Sequence, residues 1–273
     1  MSLTKEAIQH LEKSETLDRV NVELAGTKTK SSLLAVPSGF DLVNLEKYMP
    51  NRDNYRFRFG TKSIPDFGEY CKEFDQEGGK CFINSDHMSA ETLFDLGTSE
   101  APLHQLHNAR LTLDKTAAFR ALLAINGERL SQKQASDFIE DWEENIVVFD
   151  KAGEVIANKM AAKRLREITI EQVREVESIV DDFSESMSAM ERIEAKNQDI
   201  IPAAFEFKCD PYHGLANRAF NVRLSILTSG DKPQLTMRIV KLEAQEEDMA
   251  EEFKEILTDT FKDCELKTFI GEG

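Results

Sequence analysis

The chain has 273 residues, 41% of them hydrophobic and 31% charged, which is enough for one large domain or two small ones with a substantial core. Its 50 acidic side chains outnumber the 34 basic ones and give a net charge of −16, which disfavours ordinary binding to nucleic acid or anionic lipid unless a local basic patch exists. No apolar run approaches the roughly 18–20 residues that cross a bilayer, and the N-terminus lacks a signal-peptide core. These properties predict a cytoplasmic protein with no membrane partner.

The first half of the chain mixes helices with short strands. A first helix is predicted from Thr4 to about Lys13, with Ala7, Ile8 and Leu11 facing inward. Strands and one further helix follow, in the segments "SSLLAVPSGFDLVNL" (31–45), "NYRFRFG" (54–60), "IPDFGEYCKEF" (64–74, a helix), "KCFIN" (80–84) and "ARLTL" (109–113).

Two helices are predicted in the middle of the chain. The first covers 114–126, is capped by Asp114 and ends at Asn126-Gly127. The second begins at Ser131, which forms a capping box with Gln134. Its apolar stripe is predicted to be core and consists of Ala135, Phe138, Ile139, Trp142 and Ile146.

The other face of this second helix is strongly acidic and is a candidate interaction face, formed by Asp137, Glu140, Asp141, Glu143 and Glu144. Like charges at three- and four-residue spacing oppose a helix slightly, so a cationic neighbour would stabilise it. The hypothesis is a homo-oligomer in which this face meets a basic surface of an adjacent subunit, for which 160–166 is a candidate.

The sequence of the C-terminal part predicts mainly antiparallel strands. Residues 168–199 fit one long surface helix or a β-ribbon equally well. A three-stranded meander is predicted next, with turns at Asp210-Pro211 and 229–231 and strands in "AAFEFKC", "RAFNVRLSIL" and "QLTMRIVKLEA". A closing helix, "EEDMAEEFKEILTDTF", places Met249, Phe253, Ile256, Leu257 and Phe261 on one face.

This order of elements predicts an α+β fold, with a mixed, mainly antiparallel sheet and flanking helices. The sequence predicts that the parts 1–127 and 128–273 form either two domains or one intertwined domain. An alternative is a distant relation to the capsid fold of tailed phages.

Residues that could carry chemistry are sparse. His104 and His107 have the spacing of two metal ligands, but no matching carboxylate or thiolate set accompanies them. Cys209 and His213 lie in a turn, where neighbouring side chains usually point apart. The nucleotide-binding and hydrolase motifs are missing, and the four scattered cysteines predict reduced thiols. The sequence therefore predicts no metal, no cofactor and no enzymatic activity.

A candidate basic patch comes from two segments, "NRDNYRFRF" (51–59) and "MAAKRLR" (160–166), and would contain Arg56, Arg58, Lys62, Lys163 and Arg164. Alternation of aromatic and basic residues in the first segment is typical of a strand with one buried face. The alternative is an aromatic–basic platform for nucleic acid.

The segment "LHQLHNARLTLDKTAAFRALLAINGERLSQKQASDFIEDWEENI", read with "FEFKCDPYHGLANRAFNVRLSILTSGDKPQLTMRIVKLEAQEEDMAEEFKEIL", resembles the YfdQ-type family of prophage proteins. The resemblance implies a protein of temperate phages or prophages in a bacterial host cell. It supplies no catalytic residues, because that family has no known function. It also implies a β-hairpin in 168–199, as in its more distant members.

The function predicted from these observations is a non-enzymatic accessory protein that acts through protein–protein assembly, with itself or with a host or phage protein. One alternative is an acidic DNA mimic that occupies a host nuclease or defence protein. Another is an accessory factor in phage recombination. Direct binding to nucleic acid is not expected from the net charge.

Overall fold

A computed structural model describes residues 4–26, 46–52, 54–168, 202–227 and 233–273 of the chain. Its helices are α1 (Lys5–Gly26), α2 (Ile64–Glu73), α3 (Ala117–Ile125), α4 (Gln132–Asp141), α5 (Asn158–Glu167) and α6 (Leu242–Phe261). Its strands are β1 (Phe57–Thr61), β2 (Lys80–Asn84), β3 (Ser89–Leu93), β4 (His107–Thr112), β5 (Arg129–Ser131), β6 (Ile146–Phe149), β7 (Val155–Ile156), β8 (Ala204–Cys209), β9 (Arg218–Leu227), β10 (Gln234–Ile239) and β11 (Lys267–Ile270). A short 3-10 helix spans Glu46–Tyr48. The protein is therefore an α+β fold, as the sequence predicts.

The first sheet has five strands in the order β1-β4-β3-β2-β11. Its two edge strands pair in parallel with their neighbours and the three inner strands are antiparallel. One face is buried against α2, and its residues include Cys81, Ile83, Ala90, Ala109 and Leu111. Because side chains alternate along a strand, the residues between them lie on the opposite face, which no described helix covers. Strand β11 comes from the C-terminal end of the chain, so the two halves predicted from the sequence share this sheet.

The second sheet has six strands, all antiparallel, in the order β5-β10-β9-β8-β6-β7. Strands β8, β9 and β10 form the predicted meander. The inner face packs against α3 and α4 through stacked rings: Phe119 on Phe220, with centroids 5.2 Å apart, and Phe138 on Phe207, at 5.9 Å. The opposite face of this sheet is again open among the described residues.

Helix α4 begins as predicted. The Ser131 hydroxyl accepts a hydrogen bond from the backbone N–H of Gln134, and the Gln134 side chain accepts one from the N–H of Ser131. The predicted C-terminal end is wrong, because α4 ends at Asp141 with Trp142 as its C-cap. Ile146 belongs to strand β6, where the β-branched run Ile146–Val148 favours extended backbone.

Two other predicted helices have different boundaries in the structure. Helix α1 continues to Gly26 rather than ending near Lys13, and Ile8 and Leu11 are 45% and 61% exposed instead of facing inward. Helix α3 is capped by Thr116, not Asp114, since the Thr116 hydroxyl accepts a hydrogen bond from the N–H of Phe119 at 3.3 Å.

Helix α6 places Met249, Phe253, Leu257 and Phe261 in the core as predicted, whereas Ile256 is half-buried. The predicted strand segment 31–45, the turn at 229–231 and the helix-or-ribbon segment from 169 to 199 lie outside the described residues. No helix in the described ranges combines the length and apolarity needed to cross a membrane.

Candidate functional site

The predicted acidic face on α4 already has a cationic neighbour, and it belongs to the same chain. Arg166, in the last turn of α5, donates hydrogen bonds to Glu140 at 2.6 Å and to Asp137 at 3.3 Å. The hydrogen bond to Glu140 is the largest of the effects that raise the pKa of Arg166. The side-chain amide of Gln132 also donates to the carbonyls of Leu165 and Ile168, at 2.9 and 2.7 Å, and so caps the end of α5.

The other three carboxylates of that face, Asp141, Glu143 and Glu144, are exposed and make no ion pair with a described residue. Glu143 and Glu144 lie beyond the end of α4, in the turn that leads to β6. They are therefore not helical neighbours of Glu140, and the predicted repulsion between them along one helix is wrong.

The predicted basic patch is divided between two parts of the fold. Arg56, Arg58 and Lys62 lie in or beside β1, whereas Lys163 and Arg164 lie on α5. Four of the five cations pair with carboxylates: Arg56 with Glu46 at 3.0 Å, Lys62 with Asp114, Lys163 with Glu167 at 3.6 Å and Arg164 with Glu167 at 3.4 Å. The hydrogen bond from Lys62 lowers the pKa of Asp114. Only Arg58 makes no ion pair with another described residue.

The residues around β1 form the strand that the alternation predicts, and Phe59 packs on the ring of Tyr70 with centroids 4.4 Å apart, but its aromatic face is only partly buried. Tyr55 and Phe57 are 55% and 49% exposed, because β1 is an edge strand that pairs only with β4 among the described strands. Tyr55 instead lies against the ring of His107, with centroids 4.5 Å apart.

A second acidic surface lies on α6, where a carboxylate recurs every fourth residue. We call this surface the acidic stripe; it consists of Glu243, Glu247, Glu251, Glu255 and Asp259, all exposed. Four residues of helix rise about 6 Å and turn about 40° beyond one full turn, so the stripe is a regular row of charges that winds around α6. Each like-charge pair at this spacing opposes the helix by about 0.2–0.5 kcal/mol. Among the described residues only Lys254 relieves this repulsion, by pairing with Glu251 at 2.6 Å.

Three arginines form a complementary surface on the open face of the second sheet. Arg223 on β9 lies directly opposite Arg238 on β10, and Arg129 on β5 lies opposite Thr236, two residues from Arg238. All three are exposed, and none makes an ion pair within the described part of the chain. We call Arg129, Arg223 and Arg238 the arginine cluster. Like charges directly across two strands are destabilising, so an anionic partner would stabilise this face.

Neither surface was predicted from the sequence, for different reasons. The acidic stripe could have been recognised in the sequence, because Glu or Asp recurs at every fourth position of a predicted helix. The arginine cluster could not have been recognised in this way, because its members come from positions 129, 223 and 238 and lie together only through the pairing of their strands.

The histidines and cysteines singled out from the sequence lie apart from these surfaces. His107 is buried and its Nε2 is 2.9 Å from the hydroxyl of Tyr70, whereas His104 and His213 are exposed. Burial raises the pKa of Cys209 to about 12, which makes it a poor nucleophile at neutral pH. The described residues contain no group of three or more His, Cys, Asp or Glu side chains placed to hold a metal ion.

Comparison with known proteins gives a family but no function. No curated protein and no solved structure matches the chain. A family model described as "Uncharacterized conserved protein (DUF2303)" matches residues 3–273, which is nearly the whole sequence. The chain therefore belongs to this family of uncharacterised conserved proteins.

Proposed function

We propose that this protein is a non-enzymatic accessory protein that works by assembling with copies of itself. The observation that carries the proposal is the separation of charge on its surface. The carboxylates of the acidic stripe lie along α6, and among the described residues only Glu251 pairs with a cation. The guanidinium groups of the arginine cluster lie together and make no ion pair with a described residue. An origin in phages or prophages is part of the proposal and is supported by the resemblance to YfdQ-type proteins.

In the proposed assembly, the acidic stripe of one copy lies across the arginine cluster of the next. The guanidinium group suits this role because it binds carboxylates through two parallel hydrogen bonds. A two-fold dimer would form this contact twice, once in each direction, whereas a one-way contact from copy to copy would form a closed ring or an open filament. The Arg166 ion pairs hold α4 against α5 within each subunit and are not part of this contact.

Molar mass measured by light scattering tests the assembly. We expect oligomers at about 50 mM salt that dissociate towards monomers at about 500 mM, where screening acts over less than 8 Å. The double variant Arg223→Glu/Arg238→Glu should be monomeric, and so should Glu247→Lys/Glu255→Lys. A mixture of these two variants should associate again, because each supplies the surface that the other lacks.

A matched control reverses two exposed lysines elsewhere, Lys133→Glu/Lys159→Glu, and should leave the molar mass unchanged. A wild-type protein that stays monomeric at low salt and millimolar concentration would contradict self-assembly. Oligomers that are insensitive to both double variants would show that other surfaces are used.

A second candidate function, mimicry of DNA, is favoured by the acidic stripe alone. A row of carboxylates about 6 Å apart that winds around a helix presents regularly repeated negative charge, as a nucleic-acid strand does with its phosphates. Titrating the protein into a complex of labelled duplex DNA with a non-specific endonuclease should then release the DNA. Release that persists with Glu247→Lys/Glu255→Lys would contradict this role for the stripe.

A further inference from the structure

The open face of the first sheet carries aromatic and basic side chains in two adjacent rows. In one row the strand register aligns Phe269, Phe82, Glu91 and Arg110; in the next it aligns Lys267, Lys80, Leu93, Asn108 and Arg58. The rows are about 6.6 Å apart along the strands, and neighbouring strands are about 4.8 Å apart. We call this surface the aromatic–basic face; its aromatic and cationic members are Arg58, Lys80, Phe82, Arg110, Lys267 and Phe269.

The cations of this face lack partners within the described residues. None of Arg58, Lys80, Arg110 and Lys267 makes an ion pair there, in contrast to four of the five cations of the predicted basic patch. Lys80 and Lys267 lie directly opposite each other on adjacent strands, which is unfavourable unless an anion lies between or above them. Glu91 is the only carboxylate in the two rows, so the face has an excess of positive charge in a protein of net charge −16.

The aromatic members form a surface on which flat rings can stack. The rings of Phe82 and Phe269 are stacked with centroids 5.7 Å apart and an angle of 24° between their planes. Phe269 is 43% exposed on the edge strand β11. Phe82 is half-buried, so the pair offers a partly exposed aromatic surface. Aromatic rings on a sheet, flanked by cations, are the arrangement with which proteins bind unpaired bases and the phosphates that join them.

A groove of about 390 Å³ lies beside these rings, and its size suits a nucleobase. Polar side chains able to contact base edges line it: Asn84, His87, Ser89, Glu91, Arg110 and Thr112. Two carboxylates lie at this groove, Glu91 and Glu272, and the Asn84 amide donates a hydrogen bond to the Glu272 carboxylate at 2.7 Å. The backbone of Gly273 lies so close to Phe82 that a Cβ would fall 2.5 Å from its ring.

We infer that the aromatic–basic face binds single-stranded nucleic acid, with bases stacked on Phe82 and Phe269 and phosphates at Lys80, Lys267, Arg110 and Arg58. A duplex fits less well, because its bases are already stacked and cannot reach the phenyl rings. An acidic peptide would pair with the cations but would leave the aromatic pair unused. The overall charge does not prevent binding, since at 0.15 M salt charges act over only about 8 Å and the local face dominates.

In this arrangement Glu272 competes with the nucleic acid for the groove. Its carboxylate lies at the groove that a base and its phosphate would enter, so a bound strand must displace it. The variant Glu272→Gln, which lacks the charge, is expected to bind several-fold more tightly than the wild type.

Fluorescence anisotropy with labelled single strands of about 20 nucleotides, oligo-dT and oligo-U, tests the inference with the full-length protein. Neutralising four phosphates gives a slope of log affinity against log salt near −0.7 per phosphate, so binding should weaken roughly fifty-fold between 50 and 200 mM salt. Comparing the two strands shows whether DNA or RNA is preferred, and a duplex of equal length should bind more weakly than both.

Variants locate the binding. Phe269→Ala should weaken binding roughly five- to a hundred-fold, whereas Phe269→Tyr, which keeps a ring, should retain it. Lys80→Glu/Lys267→Glu should abolish binding, and Lys133→Glu/Lys159→Glu on the helices should not. Circular dichroism melting checks that each variant is folded.

Three outcomes would overturn the inference. The first is that neither single strand binds at about 50 mM salt. The second is that the duplex or poly-glutamate binds as tightly as the single strands. The third is that Lys133→Glu/Lys159→Glu loses as much binding as Lys80→Glu/Lys267→Glu. None of them depends on whether the protein assembles with itself, because the variants expected to disrupt assembly, Arg223→Glu/Arg238→Glu and Glu247→Lys/Glu255→Lys, alter other residues than Lys80 and Lys267.

Discussion

Arg166 donates a hydrogen bond to Glu140 at 2.6 Å and thereby joins the last turn of α5 to the acidic side of α4. Both side chains remain partly exposed, at 45% and 43%, so the attraction is screened by solvent and by salt. The basic segment 160–166 therefore supplies the cation that the acidic face of α4 needs, but it does so within one subunit.

This arrangement predicts the effect of Arg166→Ala. The melting temperature should fall slightly at low salt, because Asp137 and Glu140 lose their shared partner, and the difference should disappear at high salt. The molar mass should not change, because the pair lies within one chain. Arg166→Lys should keep part of the effect, whereas a change in oligomeric state would contradict the assignment.

The capping box at the start of α4 predicts the effect of Ser131→Ala. Loss of the hydroxyl leaves the Gln134 N–H without its acceptor and should lower the free energy of unfolding by about 1 kcal/mol. Urea denaturation measures the change. Ser131→Asp, which keeps an acceptor at the cap, should be close to the wild type; a loss equal to that of alanine would mean that the cap contributes little.

Features fixed by neighbouring residues were predictable from the sequence. The capping box at Ser131, the meander of β8 to β10 and the buried stripe of α6 each depend on local spacing, and the structure confirms them. The end of α4 was not predictable in this way, because Ile146 continues a helical spacing by coincidence while belonging to the next strand.

Surfaces assembled from distant strands could not be predicted. Arg223 and Arg238 face each other only because β9 and β10 adopt one register, and a shift of one residue would place both on the other face. The aromatic–basic face needs β11, from the end of the chain, to lie beside β2. Periodicity within a segment carries no information about either pairing.

Trp142 is less buried than its apolar neighbours on α4, so removing its side chain should lower the free energy of unfolding by a smaller amount. Its ring packs against Phe207 with centroids 5.9 Å apart but is only half-buried. Trp142→Ala should therefore lower the free energy of unfolding by about 1.5–3 kcal/mol. Phe138→Ala, at a buried position of the same helix, should cost more, about 3–5 kcal/mol. Equal losses in urea denaturation would contradict this ranking.

Three buried thiols predict lower stability at alkaline pH. Burial raises the pKa of Cys71 and Cys209 to about 12 and that of Cys81 to about 11, from 9.0. Above pH 9 the unfolded chain loses thiol protons that the folded chain keeps, so stability falls as pH rises towards 11. Replacing all three cysteines with alanine should flatten this part of the curve, whatever the variant's absolute stability. A slope unchanged from the wild type would show that other groups are responsible.

Burial of His107 predicts a second dependence of stability on pH, in which stability falls as the pH is lowered. Burial lowers its pKa below the ordinary 6.5, an effect that Asp95 opposes only in part. As pH falls through 6.5 the unfolded chain binds a proton that the folded chain does not, so stability is complete above that pH and decreases below it. The Tyr70 hydroxyl, 2.9 Å from Nε2, can donate to the neutral ring, and that hydrogen bond is lost if the ring nitrogen is protonated. The variant His107→Gln does not titrate, so its free energy of unfolding between pH 7.5 and 5.5 should fall less steeply than that of the wild type. Parallel curves, or an equal flattening by His213→Gln at an exposed position, would show that His107 is not the titrating group.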